Sequence, residues 1–357
     1  MSASNQQSEA IRQLSICNSC RYCEGYCATF QALTRHRSFD IKTVSHLSNL
    51  CHNCRGCYYA CQYTEPHEFA LNIPSVLAGV RAQNWEDNIQ PRVLSKLMQR
   101  SIWPYVVIFI VFLLLLSVGA GVPWMSAQAF YSAMSHTLMV SIFLPLFLLP
   151  LIFLSLGLRR YWQSIDGSNL TFADFKEALA SAATMKQLSG GQGQGCNYES
   201  GERYTSHRRW AHQAVMFGFL LCLLSTSVAT LYHYVLDYPA PYPIWILPKL
   251  FGVIGGLLLC AGCLAMWMLK SRADNTLGST QHLAGEYAFI GLLFLVSVTG
   301  LLLYWSKGTP LAGTWLIVHL AFVATFFVSL PYSKMTHGFF RLASLCREAQ
   351  IKRQLPS

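Results

Sequence analysis

The sequence predicts a mainly α-helical chain in two parts: a small cysteine-rich N-terminal domain and a six-helix transmembrane bundle. Three observations predict it. Of the 357 residues, 53% are hydrophobic and only 12% are charged, about half the charge of an ordinary soluble domain. Six long apolar stretches follow residue 100. Eight of the 13 cysteines fall within residues 17–61, ahead of the first apolar stretch.

The N-terminal domain spans residues 1–100. Its first stretch, "MSASNQQSEAIRQLS", is polar and lacks the apolar core of a secretory signal. The cysteines are therefore expected in the cytoplasm, where thiols stay reduced and available to metal. They form two runs of identical spacing, C-x2-C-x2-C-x3-C: Cys17, Cys20, Cys23, Cys27, then Cys51, Cys54, Cys57, Cys61. Three cysteines spaced this way can grip three irons of one cubane, while the fourth reaches a second cluster. The expectation is one [4Fe–4S] cluster on Cys17, Cys20, Cys23 and Cys61. The second takes Cys51, Cys54, Cys57 and Cys27. Zinc is the rival reading, but structural zinc wants two ligand pairs across a longer loop. Ala28 and Gln62 stand where the bacterial run usually has proline. The segment "ATFQALTRHRSFDIKTVSHLSNL" between the runs reads as a helical insertion. The domain thus reads as a ferredoxin-like or α-helical two-cluster iron–sulfur domain. The segment "EPHEFALNIP" after Cys61 either shields a cluster or touches a partner.

The apolar stretches are 103–121, 132–158, 211–235, 245–269, 285–305 and 313–333, each near the ~20 residues that a helix needs to span hydrocarbon. They divide the rest of the chain into two helices over 101–158, a loop over 159–210, a four-helix domain over 211–340 and a tail over 341–357. With both termini in the cytoplasm, 24 of the 26 Lys and Arg fall on the cytoplasmic side, as the positive-inside rule requires. The net charge of +10 is accounted for by topology, and no nucleic-acid partner is expected. The loop 159–210 holds "LSGGQGQGCNYESGER", which reads as a flexible linker or docking loop because no G-K-[ST] follows the glycines. Small residues in "GVIGGLLLCAGC" allow helices or a flat cofactor to approach closely. Trp103, Trp162 and Trp210 are expected at membrane interfaces. Cys222, Cys260 and Cys263 read as packing residues.

Ionisable residues inside spans are functional candidates. Six histidines lie in or at the ends of spans: His136, His212, His233, His282, His319 and His337. His212 at the start of the third span and His337 at the end of the sixth are expected at one depth, as axial ligands of a b-type haem. His319 and His233 lie toward the outer face, about 27 and 31 Å along their helices, and allow a second haem, with His136 competing for the role. Arg203, Arg208, Arg209, Lys334 and Arg341 read as headgroup anchors or as partners of haem propionates.

Residues 209–340 resemble the cytochrome b subunit of respiratory nitrate reductase and the membrane subunit of heterodisulfide reductase. The stretches "RWAHQAVMFGF", "KLFGVIGGLLLCAGCLAMWMLKSR" and "WLIVHLAFVATFFVSLPYSKMTHGFF" carry the resemblance, with His-x17-His around "LPYSK" its most specific part. It implies haem at His319 and His337, and at His212. The family's outer haem takes a partner ten residues after the first histidine, which is Cys222 here. The whole chain is similar to the tricarballylate/citrate utilisation protein B family. That resemblance implies a partner, an FAD-dependent dehydrogenase that oxidises tricarballylate to cis-aconitate. It implies the bacterial inner membrane as the location.

The expected function is electron transfer from reduced flavin through two [4Fe–4S] clusters and one haem b, or two, to a membrane quinone. The chain would be an oxidoreductase component with no substrate chemistry of its own, since it carries no Rossmann fingerprint. A membrane-anchored iron–sulfur sensor or scaffold without quinone turnover is the alternative, and a transporter the third.

Overall fold

The computed structural model describes residues 3–119, 124–125, 134–189, 193–198, 203–238, 240 and 242–354. The chain is mainly α-helical. Among the described residues there is no strand, only one antiparallel bridge between Cys196 and Thr205.

Six helices build the N-terminal domain: α1 (Ala3–Cys20), α2 (Ala28–Leu33), α3 (Ile41–Leu50), α4 (Gly56–Tyr59), α5 (Ile73–Asn88) and α6 (Arg92–Arg100). The insertion between the cysteine runs is helical, as α2 and α3. Asp40 starts α3 by accepting the Thr43 N–H at 2.8 Å, and Asn72 starts α5 by accepting that of Ser75 at 3.1 Å. Side-chain oxygens at this position satisfy helix N–H groups that have no partner within the helix. Leu14, Phe30, Leu33, Val44, Leu47 and Leu77 form the domain's core, and Cys27 and Cys51 lie within it.

The second part begins with α7 (Trp103–Leu114), prolonged by a π turn over Leu115–Gly119. Then come α8 (His136–Ser164), α9 (Phe172–Thr184), α10 (His207–Tyr234), α11 (Leu247–Arg272), α12 (Leu283–Trp305), α13 (Ala312–Ser329) and α14 (Thr336–Gln354). Among the described residues five helices are long and apolar enough to cross a membrane, and a sixth is reached if α6 and α7 count as one span bent by 103°. This set is compatible with a membrane protein. The end of the first expected span, residues 120–121, lies outside the described residues.

Four features differ from the sequence expectation. The second span does not stop at residue 158: α8 has 29 residues, about 43 Å, which exceeds the ~30 Å hydrocarbon core. The loop 159–210 contains α9, closed at its start by a capping box between Thr171 and Asp174. The tail expected from residue 341 is helical as far as Gln354, within α14. The sixth span ends at Ser329, two residues before Pro331, so His337 stands in the first turn of α14 instead. Proline lacks the N–H that would continue the helix.

Small residues join α10 to α11. A methyl group at Gly218 would stand 2.6 Å from the Leu259 nitrogen, and one at Gly262 would stand 2.7 Å from that of Val215. These glycines bring the helix backbones into contact. The upper end of α8 enters the N-terminal domain. Tyr161 is fully buried there, packs on Phe340 and shares a 2.6 Å hydrogen bond with Ser344. Trp103 and Trp210 are exposed, whereas Trp162 packs against the core.

Candidate functional site

The two cysteine runs are shaped by helix ends. Cys17 and Cys20 occupy the last turn of α1 and share one face, three residues apart. Arg21, at φ 56°, ends the helix, and Cys27 stands at the N-cap of α2. In the second run Cys51 caps the end of α3. Asn53 and Arg55, at φ 51° and 68°, fold the chain back so that Cys54 and Cys57 follow within a tight turn. Such left-handed conformations are uncommon outside glycine, and here they curl the backbone around the thiols.

These bends sort the thiols by space and not by run. Cys17, Cys20, Cys23 and Cys61 wall a cavity of about 250 Å³, with Leu71 and Ile73 from the segment after Cys61. Cys27, Cys51, Cys54 and Cys57 surround a narrower pocket beside it. Cys57, Phe30 and Ile73 line both and form the partition. The first cavity opens outward, since Cys20 is exposed and Tyr22 is 68% exposed. The second is more closed, with Cys27 and Cys51 buried and Cys54 and Cys57 half-buried.

The donor set fits iron–sulfur clusters. Among the described residues no three His, Cys, Asp or Glu groups stand close enough to share one metal ion. Four thiols around a cavity suit a multi-atom cube better than a single zinc ion. Burial, then the neighbouring thiols, push Cys17 and Cys23 up to about 12. Burial likewise raises Cys27, Cys54 and Cys57. So many thiolates at close quarters need a cationic partner, and cluster irons provide one. Backbone N–H groups of Asn53 and Tyr63 point at the sulfurs of Cys51 and Cys61, each at 3.4 Å.

The histidines fall into different company. His212 and His337 meet with ring centroids 5.7 Å apart and planes at 78°. His337 donates its Nδ1–H to the Lys334 carbonyl at 2.5 Å, which leaves Nε2 for a metal. His212 Nδ1 is buried without a hydrogen-bond partner. Two imidazoles facing each other, one oriented by a backbone carbonyl and one with an orphaned nitrogen, fit the axial pair of a haem. His233 stacks on His136 at 4.2 Å, and His319 Nδ1 is paired with the Thr299 hydroxyl at 3.1 Å. Neither contact is to the other, so these contacts form no His233–His319 pair. His282 is spent on the seam between the two parts: its Nε2 meets Glu86 at 3.0 Å, where Arg100 also binds. Cys260 contacts the Ser297 hydroxyl at 2.9 Å and Cys263 is buried in the core.

The sequence reading takes Arg208 and Arg341 for headgroup or propionate residues and does not single out Arg81, but the structure sets all three on the second run. Arg81 donates to the Cys51 carbonyl at 2.5 Å. Arg341 donates to the same oxygen at 2.5 Å and to His52 Nδ1 at 2.9 Å. Arg208 reaches the Asn53 carbonyl at 2.8 Å and stacks over Tyr198 at 3.9 Å. Burial and then Arg341 hold His52 well below the usual imidazole range, so its nitrogen accepts. The loop before α10 docks here too, with the Asn197 N–H bonded to the Cys54 carbonyl at 2.9 Å. Arg208 and Arg341 are therefore committed to protein carbonyls. Arg209 binds the Thr184 carbonyl, and Lys334 joins Lys270 on Glu286. The signal available beforehand was spacing: Arg208 and Arg341 each lie four residues from a candidate haem histidine.

Comparison with known proteins covers both parts. The citrate utilization protein B family matches residues 104–356, and the Fer4-like domain of citrate utilization protein B matches residues 10–87, which include all eight cysteines of the two runs. Citrate utilization protein B of Escherichia coli is 36% identical over 354 residues, covering 98% of this chain and 93% of that protein. No solved structure matches. The Fer4-like match indicates an iron–sulfur electron-transfer role. Since one family accounts for the cysteine-rich domain and the helical bundle alike, this chain belongs to the citrate utilization protein B family.

Proposed function

We propose that this protein conducts electrons from the reduced flavin of a cytoplasmic dehydrogenase to a quinone in the bacterial inner membrane, with both termini in the cytoplasm. The dehydrogenase is an FAD enzyme acting on tricarballylate, in keeping with citrate utilization in the relative's name. One observation carries the reading: an exposed thiol group, a buried thiol group and a histidine pair stand in series from the N-terminal domain to the helical bundle.

Two [4Fe–4S] clusters and a b-type haem would supply one-electron carriers, which a two-electron flavin and a two-electron quinone both require. Cys17, Cys20, Cys23 and Cys61 would hold the outer cluster beside the exposed Tyr22, where a soluble donor can approach. Cys27, Cys51, Cys54 and Cys57 would hold the inner one. The shared wall at Cys57, Phe30 and Ile73 would keep the two centres adjacent. His212 and His337 would take the haem, with His337 oriented by the Lys334 carbonyl.

The optical spectrum of the purified protein tests this. Reduced-minus-oxidised b-type bands are expected, and His212→Ala or His337→Ala should abolish them while the iron–sulfur EPR signals persist. A fully iron-loaded preparation without those bands contradicts the proposal and favours a sensor or scaffold.

A further inference from the structure

Each candidate haem histidine shares its helix with an arginine one turn away. Arg208 precedes His212 by four residues on α10, and Arg341 follows His337 by four on α14, so each pair lies on one helix face. Both arginines leave the bundle and end on the same short backbone segment. Arg341 binds the carbonyls of Asn49 and Cys51, at 3.2 and 2.5 Å, and Arg208 binds that of Asn53 at 2.8 Å. Arg81 on α5 closes on the Cys51 carbonyl from the N-terminal domain. Part of this is ordinary helix capping, since the carbonyls ending α3 lack helical partners and carry partial negative charge. Capping alone needs one cation. Here three guanidiniums surround three residues, and among the described residues no carboxylate is ion-paired with any of them. The first run has nothing similar: Arg21, in its turn, bonds the Asn18 carbonyl and is exposed.

We infer that Arg208 and Arg341 are positioning residues that fasten the inner cluster's loop to the two haem-bearing helices. With Arg81 they hold that cluster at a higher reduction potential than the outer one. The inference rests on the function proposed above. The physics is electrostatic: an added electron is stabilised by unpaired positive charge in a poorly hydrated site, and cluster potentials follow local charge and hydrogen bonding. The same contacts fix the separation between the inner cluster and the histidine pair. Electrons therefore move from the outer to the inner centre downhill, and onward across a gap set by two side chains.

The test is an EPR redox titration of the full-length protein in detergent, comparing wild type with Arg208→Gln, Arg341→Gln and Arg341→Lys. In each Gln variant the reduced fraction of one cluster at fixed potential should fall about tenfold, equivalent to about 59 mV for a one-electron couple, with the other cluster unmoved. Arg341→Lys keeps the charge and should recover most of the potential. Two clusters titrating at wild-type potentials in both Gln variants would overturn the inference. Should a variant lose its inner cluster, the wild type still decides: oxidised haem should speed the spin relaxation of the higher-potential cluster alone. Equal relaxation of both clusters, or enhancement of the lower-potential one, defeats the inference. A wild type lacking haem or clusters would instead overturn the function on which it rests.

Discussion

The two cysteine runs have the same spacing and opposite surroundings. The first closes the end of α1, opens outward and borders the exposed Tyr22. The second lies inside, with Cys51 buried and its carbonyl gripped by two arginines from different parts of the chain. Spacing therefore fixes which atoms are offered to a metal, while the surrounding helices fix what that centre faces. Three changes probe the contrast.

The largest effect is expected at the partition. Cys57 borders both cavities, while Cys20 borders only the outer one. Cys57→Ala should abolish the inner cluster and perturb the outer, whereas Cys20→Ala should lose about four irons and no more, as one cubane requires. Iron and acid-labile sulfide counts with EPR distinguish the two. Equal losses from both variants would erase the asymmetry.

A second effect concerns pH in the metal-free protein. Cys17 and Cys23 are raised to about 12 when folded, by burial and by neighbouring thiols. In the unfolded chain thiols ionise near 8.5. Between these values the unfolded state binds fewer protons than the folded one, so stability falls as pH rises. The contribution is fully present below about pH 8.5 and is lost as pH climbs toward the folded value. Denaturant melts of the apo-protein from pH 8 upward should show this decline, and Cys17→Ser with Cys23→Ser should flatten it.

The smallest effect tests the helix that carries the second run. Removing the Asp40 cap of α3 should cost about 1 kcal/mol and loosen Cys51 at the other end of that helix. Hydrogen exchange of Asp40→Ala should quicken in α3 and leave α1, which bears Cys17 and Cys20, unchanged.

Much of this was legible in advance. The cysteine spacing and the apolar stretches needed no structure, because ligand type and helix length are local properties. His212 and His337 were legible as a pair through their positions at helix ends. The grip of Arg81, Arg208 and Arg341 on the second run was not, because its acceptors are backbone carbonyls, which every residue possesses and no sequence marks. The stacking of His233 on His136 escaped for another reason. It depends on how two helices rotate against each other, and that is set by packing along their whole length. The helical tail was missed because α14 draws its order from long-range partners, such as Tyr161 on Phe340 and Ser344.

That last contact has a mechanical consequence. A rod that runs on past its apolar stretch and locks its tip between α3 and α14 ties the cysteine-rich head to the bundle at that point. In the conduit proposed above, electrons would then pass without the head commuting between donor and acceptor. The tempo of such a conduit would be set once, when the chain folds.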